Sequence, residues 1–193
     1  MKISILINTH NQQSYLKRAL DSCLSQDYKN FEIIIIDTSP IKDKDLRSKF
    51  SDNTKVKFID LETKYSYPEQ NQLFKIKKGL TISSGEYICL LDGDDFFQSN
   101  KLSYLKNIIL KEDINFNQDL PILYSEFQQK IIGELSYKNY KKYKLYKLLV
   151  NDWPFVFGTS SILIKKNLLK EFFNKTDPLK WKYLAIDIQL AIY

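Results

Sequence analysis

The 193-residue chain is 44% hydrophobic and 27% charged, enough for a packed core under a solvated surface. Five glycines, five prolines and no internal repeat exclude a low-complexity or linker-dominated protein. The formal charge of +6 and pI near 9.0 favour polyanionic partners such as diphosphates, anionic lipids or nucleic acid, although a lysine-rich solvated surface gives the same balance.

In chain order, Ile3–Ile7 reads as a strand. Tyr15, Leu16, Ala19, Leu20, Cys23 and Leu24 then recur at helical spacing. Phe31–Ile36 is nearly all apolar, as a parallel strand covered on both faces requires. Val56–Ile59 is a third strand, Asn71–Leu80 a helix and Glu86–Leu91 a fourth strand. This alternation predicts right-handed crossovers and a Rossmann-like, mostly parallel α/β sheet flanked by helices. Ser99 is placed to cap a helix through Leu102, Leu105, Ile108 and Ile109. Further on, Pro121–Phe127 and Gly158–Ile164 read as strands, Tyr137–Val150 as a basic helix and Lys180–Tyr193 as a last helix. No linker stands out, so residues 1–193 are expected to form a single domain. The final helical pattern has no C-cap, and a C-terminal extension is expected to be lacking.

Cys23 and Cys89 lie in apolar-periodic segments and read as buried free thiols of a reducing compartment. The opening strand is too short for a signal peptide, and no apolar run approaches a membrane span. The expectation is a cytoplasmic protein, soluble or peripheral to a membrane. The segment 138–147 alternates lysine with tyrosine and contains no acid. It suits an anionic membrane surface, but a solvated helix face is the preferred reading. Nucleic acid is disfavoured, because no recognised binding motif accompanies it.

The most informative feature is Asp92-Gly93-Asp94-Asp95. It follows an apolar strand, so it falls at the carboxyl edge where open α/β sheets bind ligands. Crowded carboxylates repel and call for a counter-charge, and oxygen ligands suit Mg²⁺ or Mn²⁺. A plain polar turn after a strand is the competing reading, since Asp-Gly is a common turn pair.

Several blocks together resemble family-2 glycosyltransferases. Ser4 through Asn11 looks like that family's opening strand and its Pro-Thr-Tyr-Asn-type loop. Ser22–Gln26 and Phe31–Asp37 match the next block, and Gly85–Ile88 leads into the acidic motif. Gly158–Ser161 resembles the acceptor-side segment, and Ala185–Leu190 the helix carrying a catalytic base. The resemblance implies a GT-A fold, a nucleotide-diphosphate sugar donor (a UDP-sugar foremost), an inverting mechanism and a glycan or lipid-linked acceptor. It implies that Thr9 and Asn11 contact the nucleoside and that Asp37 bonds the base. It places Asp92 and Gly93 at the ribose or sugar, Asp94 and Asp95 on Mn²⁺ or Mg²⁺, and Asp187 as general base. His10 stands where the family has tyrosine, and Asp37-Thr38-Ser39-Pro40 lacks the usual second acid and glycine. His10 is the sole histidine, so water and diphosphate oxygens would complete the metal shell. Two other readings stay open: a nucleotidyltransferase, for which the first loop offers no glycine-rich phosphate cradle, and a non-catalytic nucleotide-binding or scaffold domain of the same fold.

Overall fold

A computed structural model of the chain describes residues 1–119, 122–125, 130–134 and 158–193. The first half builds β1 (Ile3–Thr9), α1 (Gln13–Leu24), β2 (Phe31–Asp37), α2 (Lys44–Lys49), β3 (Val56–Asp60), α3 (Pro68–Ile82) and β4 (Tyr87–Asp92). There follow α4 (Lys101–Glu112), β5 (Phe116–Gln118), β6 (Ile122–Ser125), β7 (Lys130–Glu134), β8 (Ile162–Lys165), α5 (Lys166–Lys175) and α6 (Ile186–Ile192). Six strands make one sheet in the order β3-β2-β1-β4-β8-β5, and β6 pairs with β7 apart from it. Strands β1 to β4 are mutually parallel, whereas β8 runs antiparallel to both β4 and β5.

Helices cover both faces, which is why β1 and β2 are buried along their whole length and read as largely apolar runs. Side chains alternate across the sheet. Ile3, Ile5, Ile7, Ile33 and Ile35 pack with Leu16, Leu20, Leu102 and Leu105 of α1 and α4. Leu6, Ile34, Ile36, Ile88 and Leu90 pack on the opposite face with Leu73 and Ile76 of α3 and Phe172 of α5. Cys23 and Cys89 are free and buried, as their spacing predicts.

The amino edge of the sheet is locked by a buried acid. Glu32 on β2 accepts from the Ser4 hydroxyl at 2.7 Å and from the Ser84 amide at 2.6 Å. Burial alone would raise its pKa, but these bonds, the Ser84 hydroxyl and Lys2 bring it down to about 2. Gly85 lies against this cluster, where an added Cβ would meet the Ser4 amide nitrogen at 2.5 Å. Gly79 in α3 would meet only the flexible ends of Ile36 and Leu6, at 2.9 and 3.0 Å. Gly85→Ala should therefore cost about 1–3 kcal/mol or more, since backbone cannot step aside, and Gly79→Ala clearly less. Urea denaturation of the two variants checks the ranking, which equal losses would refute.

Four sequence expectations change. Ser99 does not cap α4: its cap position is Asn100, without a side-chain bond, and the buried Gln26 side chain accepts the Leu102 N–H at 2.9 Å instead. Gly158–Ile164 is not one strand, because Thr159–Ser161 forms a 3-10 turn in which Ser161 bonds back to the Gly158 carbonyl, and β8 starts only at Ile162. The last helix does not begin at Lys180. Asp177 sits left-handed (φ 43°), Pro178–Lys180 forms a 3-10 turn, and Trp181, Lys182 and Tyr183 are exposed with no apolar stripe to bury. Pro68 at the first turn starts α3 three residues earlier than expected. The basic segment 138–147 lies outside the described residues. Among those that are described, no helix is long and apolar enough to cross a membrane.

Candidate active site

Because β1 to β4 are parallel, their carboxyl ends share one edge. Thr9 pairs with Asp37, Asp37 with Asp60, and Asn8 with Asp92. The chain runs outward from β1 to β2 and β3, then crosses back to β4 on the other side of β1. That reversal is the switch point where such sheets open a crevice. Thr9, Asn11, Asp37 and Asp92–Asp95, widely separated in sequence, all gather there.

The first two loops are interlocked. Asn11 takes a left-handed conformation (φ 54°), and its N–H donates to the Ser39 hydroxyl at 2.8 Å. The Thr9 carbonyl accepts from the Thr38 N–H at 3.2 Å, and His10 Nδ1 lies 3.0 Å from the Thr38 carbonyl. Asp37 is buried at 3% exposure. Its carboxylate accepts from the Ser39 N–H at 2.8 Å and from Arg47 at 2.9 Å, and Arg47 also grips Asp60 at 2.6 Å. Lys42 stands 3.5 Å away.

The acidic tetrad is a hydrogen-bonded turn, with the Asp95 N–H donating to the Asp92 carbonyl at 3.1 Å. The Gly93 N–H continues the ladder to the Asn8 carbonyl at 2.8 Å. A Cβ on Gly93 would fall 2.8 Å from both the Gln12 and Thr9 side-chain oxygens, so glycine here admits the first loop. Asp92 is half-buried and accepts from the Gln72 amide at 3.0 Å. Asp94 and Asp95 are exposed, and the Asp94 carbonyl accepts from Arg18 at 2.9 Å. The Ser160 hydroxyl accepts the Asp92 N–H at 3.0 Å and donates to the Asp95 carboxylate at 2.6 Å.

Burial pushes the Asp92 carboxyl up to about 7; Asp95 and Asp94 add to this, against the Gln72 bond and Lys75. The folded chain then binds more protons than the unfolded one between about pH 4 and 7, so Asp92 lowers stability as pH rises through that window. Asp92→Asn should melt above the parent at pH 8 in metal-free buffer, and the gap should close near pH 4. A gap independent of pH would remove this reading.

Lys75, on α3, was not foreseen. It is 6% exposed, and its ammonium donates to the Thr9 carbonyl at 3.2 Å. Burial pulls its pKa below the usual lysine range, while Asp92 and Asp37 partly offset that. It therefore supplies positive charge between the two carboxylates. Gln72, Arg47 and Arg18 were missed as well, whereas Ser160 lies in the Gly158–Ser161 block. For Gln72 the signal was its place in the first turns of α3, the end that faces this edge.

Asp187 is half-buried in the first turn of α6, accepts its neighbour's N–H at 2.9 Å, and burial holds its carboxyl above the ordinary aspartate range. The segment before it is tied to the start of α3: Gln70 donates to the Leu179 carbonyl at 2.6 Å, and the Tyr67 and Tyr183 hydroxyls lie 3.1 Å apart. These bonds tie the segment before α6 to the end of α3 that bears Gln72. Among the described residues no hydrogen bond or ion pair joins Asp187 to the tetrad.

A mostly parallel sheet with helices on both faces, a switch point beside β1 and a carboxylate turn ending β4 define the GT-A class of fold. TarS of S. aureus, crystallised in complex with UDP, superposes with a TM-score of 0.70 at 20% identity, covering 98% of this chain and 53% of that one. The profile described as Glycosyl transferase family 2 matches residues 4–173, and the chain belongs to that family. An uncharacterized glycosyltransferase of Nostoc sp. is 26% identical over 191 residues, 96% of this chain and 57% of the relative. The Escherichia coli UDP-Glc:alpha-D-GlcNAc-diphosphoundecaprenol beta-1,3-glucosyltransferase WfgD is 28% identical over 119 residues, 59% of this chain and 43% of the relative. The chain thus spans about half the length of these two relatives.

Proposed function

We propose that the protein transfers a sugar from a nucleotide-diphosphate sugar, a UDP-sugar foremost, to a hydroxyl of a glycan or lipid-linked acceptor, inverting the sugar carbon. The observation that carries this reading is the carboxylate turn Asp92–Asp95 at the switch point, with Thr9, Asn11 and Asp37 beside it. The UDP held by TarS and the donor and lipid-diphosphate acceptor in the name of WfgD agree with it.

Thr9, Asn11 and Asp37 would receive the nucleoside, with Asp37 accepting an imide N–H of the base. Asp92 would face the ribose or sugar, beside Gly93. The donor set fits a hard divalent cation: Asp94 and Asp95 are exposed carboxylates, and both push the Asp92 carboxyl up against the single opposing charge of Lys75. Among the described residues no three carboxylate, imidazole or thiol groups converge to cage a metal, so two carboxylates would hold Mn²⁺ or Mg²⁺ together with diphosphate and water oxygens. When bound, such an ion neutralises charge on the departing diphosphate. Asp187 would take the acceptor hydroxyl's proton as its oxygen bonds to the sugar carbon and the bond from that carbon to the diphosphate oxygen breaks. Its raised pKa suits a base that must work near neutrality. The segment 138–147 would lie on an anionic membrane surface near a lipid-linked acceptor.

Calorimetric titration with UDP-, GDP-, CMP- and dTDP-sugars, with Mn²⁺ or with EDTA, tests the reading. The expected result is Mn²⁺-dependent binding, strongest for the UDP-sugars. No binding of any nucleotide would defeat it, and binding indifferent to EDTA would remove the metal.

A further inference from the structure

The carboxyl end of β1 holds a buried amide with nothing to bond. Asn8 is 3% exposed, and among the described residues neither its side-chain Nδ2 nor its Oδ1 has a partner. Its main chain is fully used, in register with Ile36 and Asp92 and with its carbonyl accepting from Gly93. Leaving a buried polar group unpaired costs about 1–3 kcal/mol. Ser4, Gln26, Glu32, Gln70 and Lys75 are also buried in this fold, and each has its bonds. The three side chains before it on β1, Ile5, Leu6 and Ile7, are buried and apolar, so packing alone would be served by an aliphatic residue at position 8.

Strand alternation puts Asn8 on the same face as Leu6 and Asp92, the face covered by α3. The two α3 side chains that reach this edge are committed elsewhere, Gln72 to Asp92 and Lys75 to the Thr9 carbonyl. The unpaired amide therefore lies beneath the switch point, next in the chain to Thr9 and across from Asp92.

A primary amide offers hydrogen-bond donors and an acceptor side by side. Diphosphate oxygens only accept, and a cation would engage only the amide oxygen, so either leaves half of Asn8 unpaired. A nucleoside carries both kinds of group close together, in the imide edge of a uracil or in the hydroxyls of a ribose. We propose that the Asn8 side chain is a specificity-determining contact to the nucleoside part of the donor, independent of the diphosphate and the metal. This rests on the nucleotide-sugar reading above and adds a residue to it.

The decisive variant is Asn8→Leu, which keeps the branched skeleton, is bulkier and cannot hydrogen bond; Asn8→Ala, which cannot overpack, is read in the same way if leucine does not fit. Melting temperature and affinity are measured together on the full chain. The probes are UDP with Mn²⁺, UDP with EDTA, 2′-deoxy-UDP with Mn²⁺, and pyrophosphate with Mn²⁺. The expected variant melts at or above the parent, since an unpaired amide is gone. It binds UDP at least about tenfold more weakly, by the same factor with Mn²⁺ and with EDTA, and binds pyrophosphate unchanged. If the parent prefers UDP to its 2′-deoxy analogue and the variant does not, the contact is to ribose; an equal loss for both assigns it to the base. Unchanged UDP affinity overturns the inference, as does a loss shared by pyrophosphate. A lower melting temperature with affinity kept for every probe would make Asn8 a structural amide. A parent that binds no nucleotide at all brings down the donor reading itself, an outcome separate from failure at Asn8.

Discussion

Asp187→Asn leaves UDP affinity unchanged and slows sugar transfer by about 10²–10⁴-fold, the range for loss of a general base. Asparagine keeps the size of the side chain and its bond to the Ile188 N–H, so α6 stays in place. It cannot accept a proton at neutral pH, and that alone separates the variant from the parent. Because burial raises the Asp187 pKa, the parent's transfer rate should climb as pH rises through that raised value, while the variant's residual rate should lack this limb. Transfer and equilibrium binding must be followed side by side in the whole protein. Near-normal transfer by the variant would exclude the base role, and lost UDP binding would make Asp187 part of the donor pocket.

Asp94→Asn is the second large effect, and it falls on binding. Asp94 is exposed, and its contact with Arg18 runs through the main-chain carbonyl, so the fold and melting temperature should hold. Losing a charged partner should cost about 1.5–3 kcal/mol of UDP affinity in Mn²⁺. In EDTA the two proteins should bind alike, because the missing carboxylate then has no cation to hold. Calorimetry across the four combinations checks this. A loss that persists in EDTA would assign Asp94 to the nucleotide directly.

The sequence exposes those parts of this molecule that arise from local order. Ile3–Thr9, Phe31–Asp37 and Tyr87–Asp92 are legible because strands covered on both faces must be apolar throughout. Asp92–Asp95 is legible because acids ending such a strand have no core to join. The short helix α2 and the helix α5 escape notice, and with α2 goes Arg47, whose partners Asp37 and Asp60 lie on two other strands. Lys75 hides among Lys77 and Lys78, where nothing in the pattern tells a buried ammonium from a solvated one. The antiparallel insertion of β8 between β4 and β5 has no local signature, because pairing across more than seventy residues is decided by tertiary contacts. The same holds for Asn8, whose interest comes from what its neighbours do not offer it.

Ser160 lies 65 residues beyond Asp95, yet its single hydroxyl fastens both ends of the acidic turn. The turn is therefore a late-assembled object. A nascent chain that has completed β1 to β4 possesses all four acidic-tetrad residues, but the turn takes its final form only after the segment before β8 returns and docks. Contacts of such long sequence separation are among the slowest to form. A chain stopped short of Ser160 would present the acids without their brace, and the turn is complete only in a molecule whose two halves have met.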